Sequence, residues 1–397
     1  MGILQRVAKI VFACVHLILL SGCWDRTEVN DLALIVGLGI DQTKNGKIRL
    51  TVEIVVPRSA GGGGQMMDGG GAGGGETIIR SGTGVTVADA ISNLQEKLSR
   101  RVFWGHTKVI VFGEKAAKAG IRQHLDFLSR NPEVRLRSNV LVSEGTAKSV
   151  LELVPPIEQS SSEVLRELSE SQLLLRVTVK DVLQMLSGDA GATALPMVKI
   201  KSPEEGKKDL QTIAFIQRTA IFKKDKMIGD IDDQLTRGVL WLRNEIKEAN
   251  ITIKPKGEKG NITATLIRAH TELIPKYEKG KWKMIVKATA EDDIILNGTK
   301  LDLLNPKYTK MIEKELAKET NKRIRNTLKK VQKEMKADIF GFADTFHRKY
   351  PREWNRVKDR WEEIFPDVEV VVKTKVYVRR PGIDTAPQGL PEQEVKK

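Results

Sequence analysis

The chain has 397 residues, 40% hydrophobic and 29% charged, with aromatics at only 5%. That is the balance of a globular protein with much polar surface, long enough for two or three cores of ~100 to 200 residues each. Two cysteines exclude a disulfide framework, and a net charge of +15 on such a chain points to anionic lipid headgroups, wall polymers or an acidic partner before nucleic acid.

The N-terminus carries Arg6 and Lys9, an apolar run over 10–20, and then Leu20-Ser21-Gly22-Cys23. The run is shorter than the ~17 to 25 residues of a membrane span, and a charged start, an apolar middle and small residues before a cut are the parts of a secretory signal peptide. With cysteine at the cut the pattern is a lipoprotein signal: 1–22 is removed and Cys23 carries an acyl lipid. N-myristoylation is excluded, because Met1-Gly2 is followed by Arg6 where that motif needs Ser or Thr. Cys14 leaves with the signal, so the mature chain holds one thiol, already committed to lipid. Loss of Arg6 and Lys9 takes the charge from +15 to +13.

After a tether over 23–31, apolar runs at 32–40 and 47–56 flank Asn45-Gly46, which accepts positive φ at both turn positions and predicts a hairpin. Ten of the fifteen residues over 61–75 are glycine, a composition that buries nothing and predicts a flexible loop. Gly37-x-Gly39 and Gly82-x-Gly84 lack the third glycine of a dinucleotide fingerprint and are expected to be turn or strand glycines. From 77 the pattern alternates: a strand at 77–80; a helix with Val87, Ile91, Leu94 and Leu98 on one face; a strand at 102–112; a helix with Ala117, Ile121, Leu125 and Leu128; a strand at 134–143; and a short helix from Thr146. These make an N-terminal α/β domain over 32–154. A middle α/β domain over 155–250 contains helices between 160 and 186, the second capped by Thr178 or Asp181, strands at 197–200, 212–222 and 227–230, and a helix capped by Asp232 or Asp233.

A C-terminal α/β domain over 251–380 begins with strands at 251–254, 262–274 and 282–296. The period then changes. Ile312, Leu316, Thr320, Ile324, Leu328, Val331 and Met335 form one apolar stripe on a helix that carries ten cations and four glutamates between 310 and 336. The stripe is expected to cover the sheet and the charged flank to be solvated, with a coiled-coil seam as the alternative. The scarce aromatics gather behind it, in Phe340, Phe342, Phe346, Tyr350, Trp354, Trp361 and Phe365. Phe342, Phe346 and Tyr350 stand one turn apart, Pro351 stops that helix, and Trp354, Val357, Trp361 and Ile364 define the next. A strand at 368–378 has the alternation of a half-buried antiparallel strand, and 381–397 is expected to be a disordered tail. Core packing accounts for most of these rings; any exposed subset would be an interface anchor. The candidate partner interface is Phe342, His347, Arg348, Arg352, Trp354, Arg356 and Trp361.

The stretch DIFGFADTFHRKYPREWNRVKDRWEEIFPDVEVVV, from Asp338, closely resembles the C-terminal signature of the Ger(x)C lipoproteins, the C subunits of nutrient germinant receptors in endospore-forming bacteria. GCWDRTEVNDLALIVGLGID, LSRRVFWGHTKVIVFGE and AIFKKDKMIGDIDDQLTRGVLWL resemble the same family in the same order. The glycine insert, Ala343-Asp344 and Gln234 depart from its pattern. The resemblance implies an α/β (α+β) fold of three successive mixed domains, lipid-anchored at Cys23 on the outer face of the spore inner membrane. It implies integral membrane A and B subunits as partners, other spore lipoproteins and the membrane surface as neighbours, and no nucleic acid, enzymatic activity or cofactor besides the acyl lipid.

The residues agree about catalysis. Of the four histidines beyond the signal, His106, His124, His270 and His347, none lies in an H-E-x-x-H pattern, and no G-x-S-x-G occurs. His106 is expected to be a satisfied structural histidine within a strand. The adjacent acids Asp232-Asp233 and Glu291-Asp292-Asp293 are expected at caps or turns. A receptor subunit working by protein contact therefore ranks first, a solute-binding lipoprotein that captures the nutrient second, and an exported hydrolase third.

Overall fold

The computed structural model describes residues 31–56, 77–171, 173–381 and 391–396, with scattered positions between 2 and 12. Cys23, the tether and the glycine-rich segment lie outside the described residues. The fold is mixed α/β, and the described residues form two sheets, of nine and four strands.

The large sheet grows outward from a hairpin. β1 (Leu32–Gln42) pairs antiparallel with β2 (Ile48–Val55), which pairs with β3 (Thr77–Gly84). The turn between β1 and β2 is a five-residue loop in which only Gly46 has positive φ, 74°, so the expected hairpin forms without the expected two-residue turn. α1 (Val87–Gln95) starts at a reciprocal cap between Thr86 and Asp89 and lies against β3. It approaches so closely that a Cβ on Gly82 would come within 2.1 Å of the Ala90 carbonyl oxygen, which accounts for that strand glycine.

The single strand expected at 102–112 is two. β4 (Arg101–Phe103) and β5 (Val109–Gly113) both run parallel to β1, separated by a turn that buries Trp104 and leaves His106 exposed. His106 is therefore a surface residue, and the expectation that it is a structural histidine does not hold. α2 (Glu114–Ala119) and α3 (Arg122–Arg130) are likewise separate, because Gly120 breaks the run at φ 132°. β6 (Asn139–Ser143) follows, then α4 (Ala147–Leu151), capped by Thr146. All five residues of β5 and of β6 are buried, as befits parallel strands covered on both faces.

Two buried acids fix the helices on the back of this sheet. Asp41 accepts from the amides of Ala147 and Lys148 at 2.7 and 3.0 Å, and Glu53 accepts from the Ser162 amide at 3.0 Å and from its hydroxyl. Each carboxylate sits at a helix start, α4 for Asp41 and α5 (Ser161–Glu170) for Glu53, where unpaired N–H groups favour negative charge. Burial raises both carboxyls above their ordinary range, and these hydrogen bonds oppose that rise.

The strands of the segment expected as a middle domain continue this sheet. After α6 (Val179–Ser187), with its Thr178–Asp181 capping box, β7 (Ala192–Ile200) pairs parallel with β6, and β8 (Ala214–Lys223) and β9 (Lys226–Ile231) extend it as antiparallel neighbours. α7 (Asp233–Leu242), capped by Asp232, leads to the second sheet.

That sheet consists of β10 (Asn250–Ile253), β11 (Ile262–Glu278), β12 (Lys281–Asn297) and β13 (Glu369–Arg380). β11 and β12, 17 residues each, form a hairpin around Lys279-Gly280, whose φ values of 51° and 77° are those of a tight hairpin turn. Between β12 and β13 runs α8 (Pro306–Thr327), continued by a π-helical turn over Leu328–Glu334. Its apolar stripe covers the sheet as expected. β13, however, pairs parallel with β12, because the long helix returns the chain to the end from which β12 set out. Residues 391–396, in the segment expected to be a disordered tail, are held to the fold: Lys396 and Leu301 form a β-bridge, and the Lys396 amide donates to the Lys300 carbonyl at 2.7 Å.

α7 and α8 join the two sheets. The Thr327 hydroxyl donates to the Leu235 carbonyl at 2.9 Å, and a Cβ on Gly238 would come within 2.0 Å of that hydroxyl oxygen. Glycine is what permits this approach.

Candidate partner interface in the C-terminal segment

The aromatic segment begins where the long helix ends. Lys336, at φ 54°, turns the chain out of the helix, and Gln332, buried in the π-helical turn, donates to the carbonyls of Phe365 and Val368 at 2.9 and 2.8 Å. This ties the end of the helix to the start of β13.

Asp338 organises what lies between. It is 3% exposed. One carboxylate oxygen accepts from the amides of Phe340 and Phe342 at 3.3 and 3.2 Å; the other accepts from the Ala343 amide at 2.8 Å and from Trp361 Nε1 at 2.9 Å. Gly341, at φ 79°, makes the turn that aims these amides inward at the start of α9 (Phe342–Lys349). Burial pushes the Asp338 carboxyl up to about 6, with the four donors holding it lower than burial alone would.

Around this acid the rings pack edge to face. Trp282 on β12 meets Phe346 at 4.9 Å between centroids, Trp354 meets Trp361 at 4.9 Å, and Phe342 meets Phe365 at 6.0 Å. The second expected helix is broken into α10 (Pro351–Trp354), a 3-10 turn at Lys358–Arg360 and α11 (Trp361–Ile364), so that Trp354 and Trp361 both point into the cluster. Phe342, Trp354 and Trp361 are 0 to 2% exposed. They are core residues, and their place in the expected interface is corrected accordingly: a partner cannot reach them.

What remains of that interface is cationic. Arg348, Arg352 and Arg356 are exposed. Among the described residues none has a carboxylate within 4 Å, and Arg348 donates only to the Asp344 carbonyl, at 3.3 Å. His347 is half-buried beside them, stacked on Trp354 at 6.0 Å and hydrogen-bonded through Nδ1 to Asp189, which lies between α6 and β7. Sequence reasoning missed Asp338, Asp189 and Trp282. Only Asp338 left a trace, as an acid ahead of an apolar I-F-G-F run.

A cleft of about 240 Å³ lies where this segment meets the large sheet, lined by Met185, Arg243, Glu245, Asp338, Phe340 and Asp344 among others. Its polar groups serve one another: Arg243 pairs with Glu245 at 2.8 Å, and Asp338 is engaged as described. Burial and the neighbouring Asp189 raise the Asp344 carboxyl. Among the described residues no group of three or more His, Cys, Asp or Glu side chains is placed to hold a metal, and no helix is long and apolar enough to cross a membrane.

Comparison with known proteins accounts for both ends of this architecture. Residues 25–200 match the model of the spore germination protein N-terminal domain, and residues 217–382 match that of the spore germination B3/GerAC-like C-terminal domain. The chain belongs to the Ger(x)C family. Among its Ger(x)C relatives, spore germination protein KC of Bacillus subtilis is 30% identical over 394 residues, covering 95% of this chain and 96% of the relative. Spore germination protein GerQC of Bacillus cereus is 27% identical, covering 92% and 96%. The crystal structure of the GerBC protein superimposes with a TM-score of 0.54 at 21% identity, over 87% of this chain and 97% of that one, a likeness of fold. The Ger(x)C family is one of spore germination receptor subunits and not a known enzyme family.

Proposed function

We propose that this chain is the C subunit of a nutrient germinant receptor, required for nutrient-triggered germination, and that it acts by protein contact. The observation that carries this reading is the pairing of family membership along nearly the whole chain with a row of exposed, carboxylate-free guanidinium groups on the aromatic layer. Arginine is enriched where interfaces are strongest, and here the segment whose rings are buried carries three of them exposed. The partners are integral membrane A and B subunits, with other spore lipoproteins as neighbours. The subunit sits on the outer face of the spore inner membrane, held by a diacylglycerol or acyl lipid on Cys23, and it needs no other cofactor and performs no catalysis.

Replacing Arg348, Arg352 and Arg356 with glutamate tests the contact. Assembly with the membrane subunits, measured by crosslinking in intact spores, should fall while the purified protein keeps its circular dichroism and melting temperature. Unchanged crosslinking would refute this surface. Mass spectrometry of Cys23→Ala protein should show no lipid; a lipidated variant would refute the anchor. Saturable calorimetric binding of a germinating nutrient to the purified protein would instead favour solute capture.

A further inference from the structure

The outer face of α8 carries a single file of cations. It begins Lys307, Lys310, Lys314, Lys318, Lys322 and Arg325 and continues through positions 329, 333 and 336. Each of these nine side chains is exposed, and the spacing of three or four keeps Lys307 to Arg325 on one side of α8 for roughly 27 Å at 1.5 Å per residue, with the last three cations on the π-helical turn and at its exit. The four glutamates of the same helix are turned aside. Glu313 accepts from the Val378 amide at 3.0 Å, Glu319 faces Arg323 at 3.5 Å, and Glu334 faces Lys330 at 3.0 Å. Only Glu315 approaches the file, 3.7 Å from Lys318. The buried stripe opposite and the Asn321 amide, which donates to the Val372 carbonyl and the Thr374 hydroxyl at 3.3 Å each, fix the helix against β13, so the file cannot roll inward.

We infer that this file is a docking surface for an anionic lipid bilayer. Eight of the nine cations are lysines, compact point charges that suit laterally mobile headgroups; a specific acidic peptide would be gripped better by the planar forks of arginine. No aromatic residue interrupts the file, whereas strand-binding grooves interleave cations with rings on which bases stack. The file itself contains no apolar side chain, so its contact is electrostatic and lies flat. The inference extends the membrane-surface reading above by naming the residues, and its test is independent of lipidation and of germination.

The test uses the chain from position 23 onward carrying Cys23→Ala, sedimented with vesicles of phosphatidylcholine alone or with 30% phosphatidylglycerol. Binding is expected only to the anionic vesicles and should weaken steeply as salt rises from 50 to 200 mM. Changing Lys310, Lys314, Lys318 and Lys322 together to Gln should weaken partitioning by up to about 10³-fold, and changing them to Arg should preserve it. A control variant with Lys115, Lys207, Lys208 and Lys256 changed to Gln loses the same net charge from other exposed positions and should retain most of the binding. Equal losses in the two Gln variants, no binding to anionic vesicles, or tighter binding to polyglutamate or duplex DNA at the same salt would each overturn the inference.

Discussion

Two buried aspartates, Asp338 ahead of α9 and Asp292 near the end of β12, meet burial in opposite ways. Asp338 is 3% exposed and accepts four hydrogen bonds; Asp292 is 1% exposed, on the face of β12 that also carries Met284, Val286 and Ala288, and neither of its oxygens has a partner among the described residues. Burial, with Asp293 adding to it, pushes the Asp292 carboxyl up to about 7. The difference teaches that an acid in a core organises structure only where backbone amides converge on it. A β-strand spends its amides on the neighbouring strands, whereas a loop at a helix start has amides to give.

The largest effect should come from the ring layer that Asp338 supports. Trp354→Ala should destabilise the protein by about 3 to 5 kcal/mol in chemical denaturation, since the ring is fully buried against Trp361 and Trp282. A loss under 1 kcal/mol would mean that the layer is not a packed core.

Next comes pH. Both aspartates hold a proton in the folded chain at pH values where the unfolded chain, with its carboxyls near 3.8, has released it. Their contribution to stability is therefore greatest below pH 3.8 and declines as pH rises, ending near 6 for Asp338 and near 7 for Asp292. Asp292→Asn should remove a fall on the order of 3 kcal/mol between pH 4 and 7.5, leaving the smaller fall that ends near pH 6. A wild-type stability curve that is flat between pH 6 and 7.5 would show that Asp292 finds a partner.

Asp338→Asn should do the reverse of Asp292→Asn at neutral pH. It places an amide donor against four donors and should cost about 2 kcal/mol, and Trp361→Phe, which removes one of the four, should cost less. If Asp338→Asn and Asp292→Asn shift the melting temperature at pH 7 in the same direction, the contrast between the two acids fails. The smallest effect on folding should be that of Arg348, Arg352 and Arg356 changed together to Gln, within about 0.5 kcal/mol per site, because their side chains are exposed and have no carboxylate partner among the described residues.

The sequence by itself determined the local elements. Apolar spacing located α1, the stripe of α8 and the β11–β12 hairpin, while Thr86, Thr146, Thr178 and Asp232 gain their cap roles from side chains that reach amides three residues on. These are short-range matters of period and hydrogen-bond reach. What only the tertiary structure decided is which strands meet and which aromatic side chains face water. β7 joins β6 across a long stretch of chain, β13 runs parallel to β12, and rings with the composition of an interface turn inward because Asp338 gathers distant amides and an indole around one carboxylate. Each of these depends on contacts between residues far apart in the chain, and a pattern of neighbours carries no record of them.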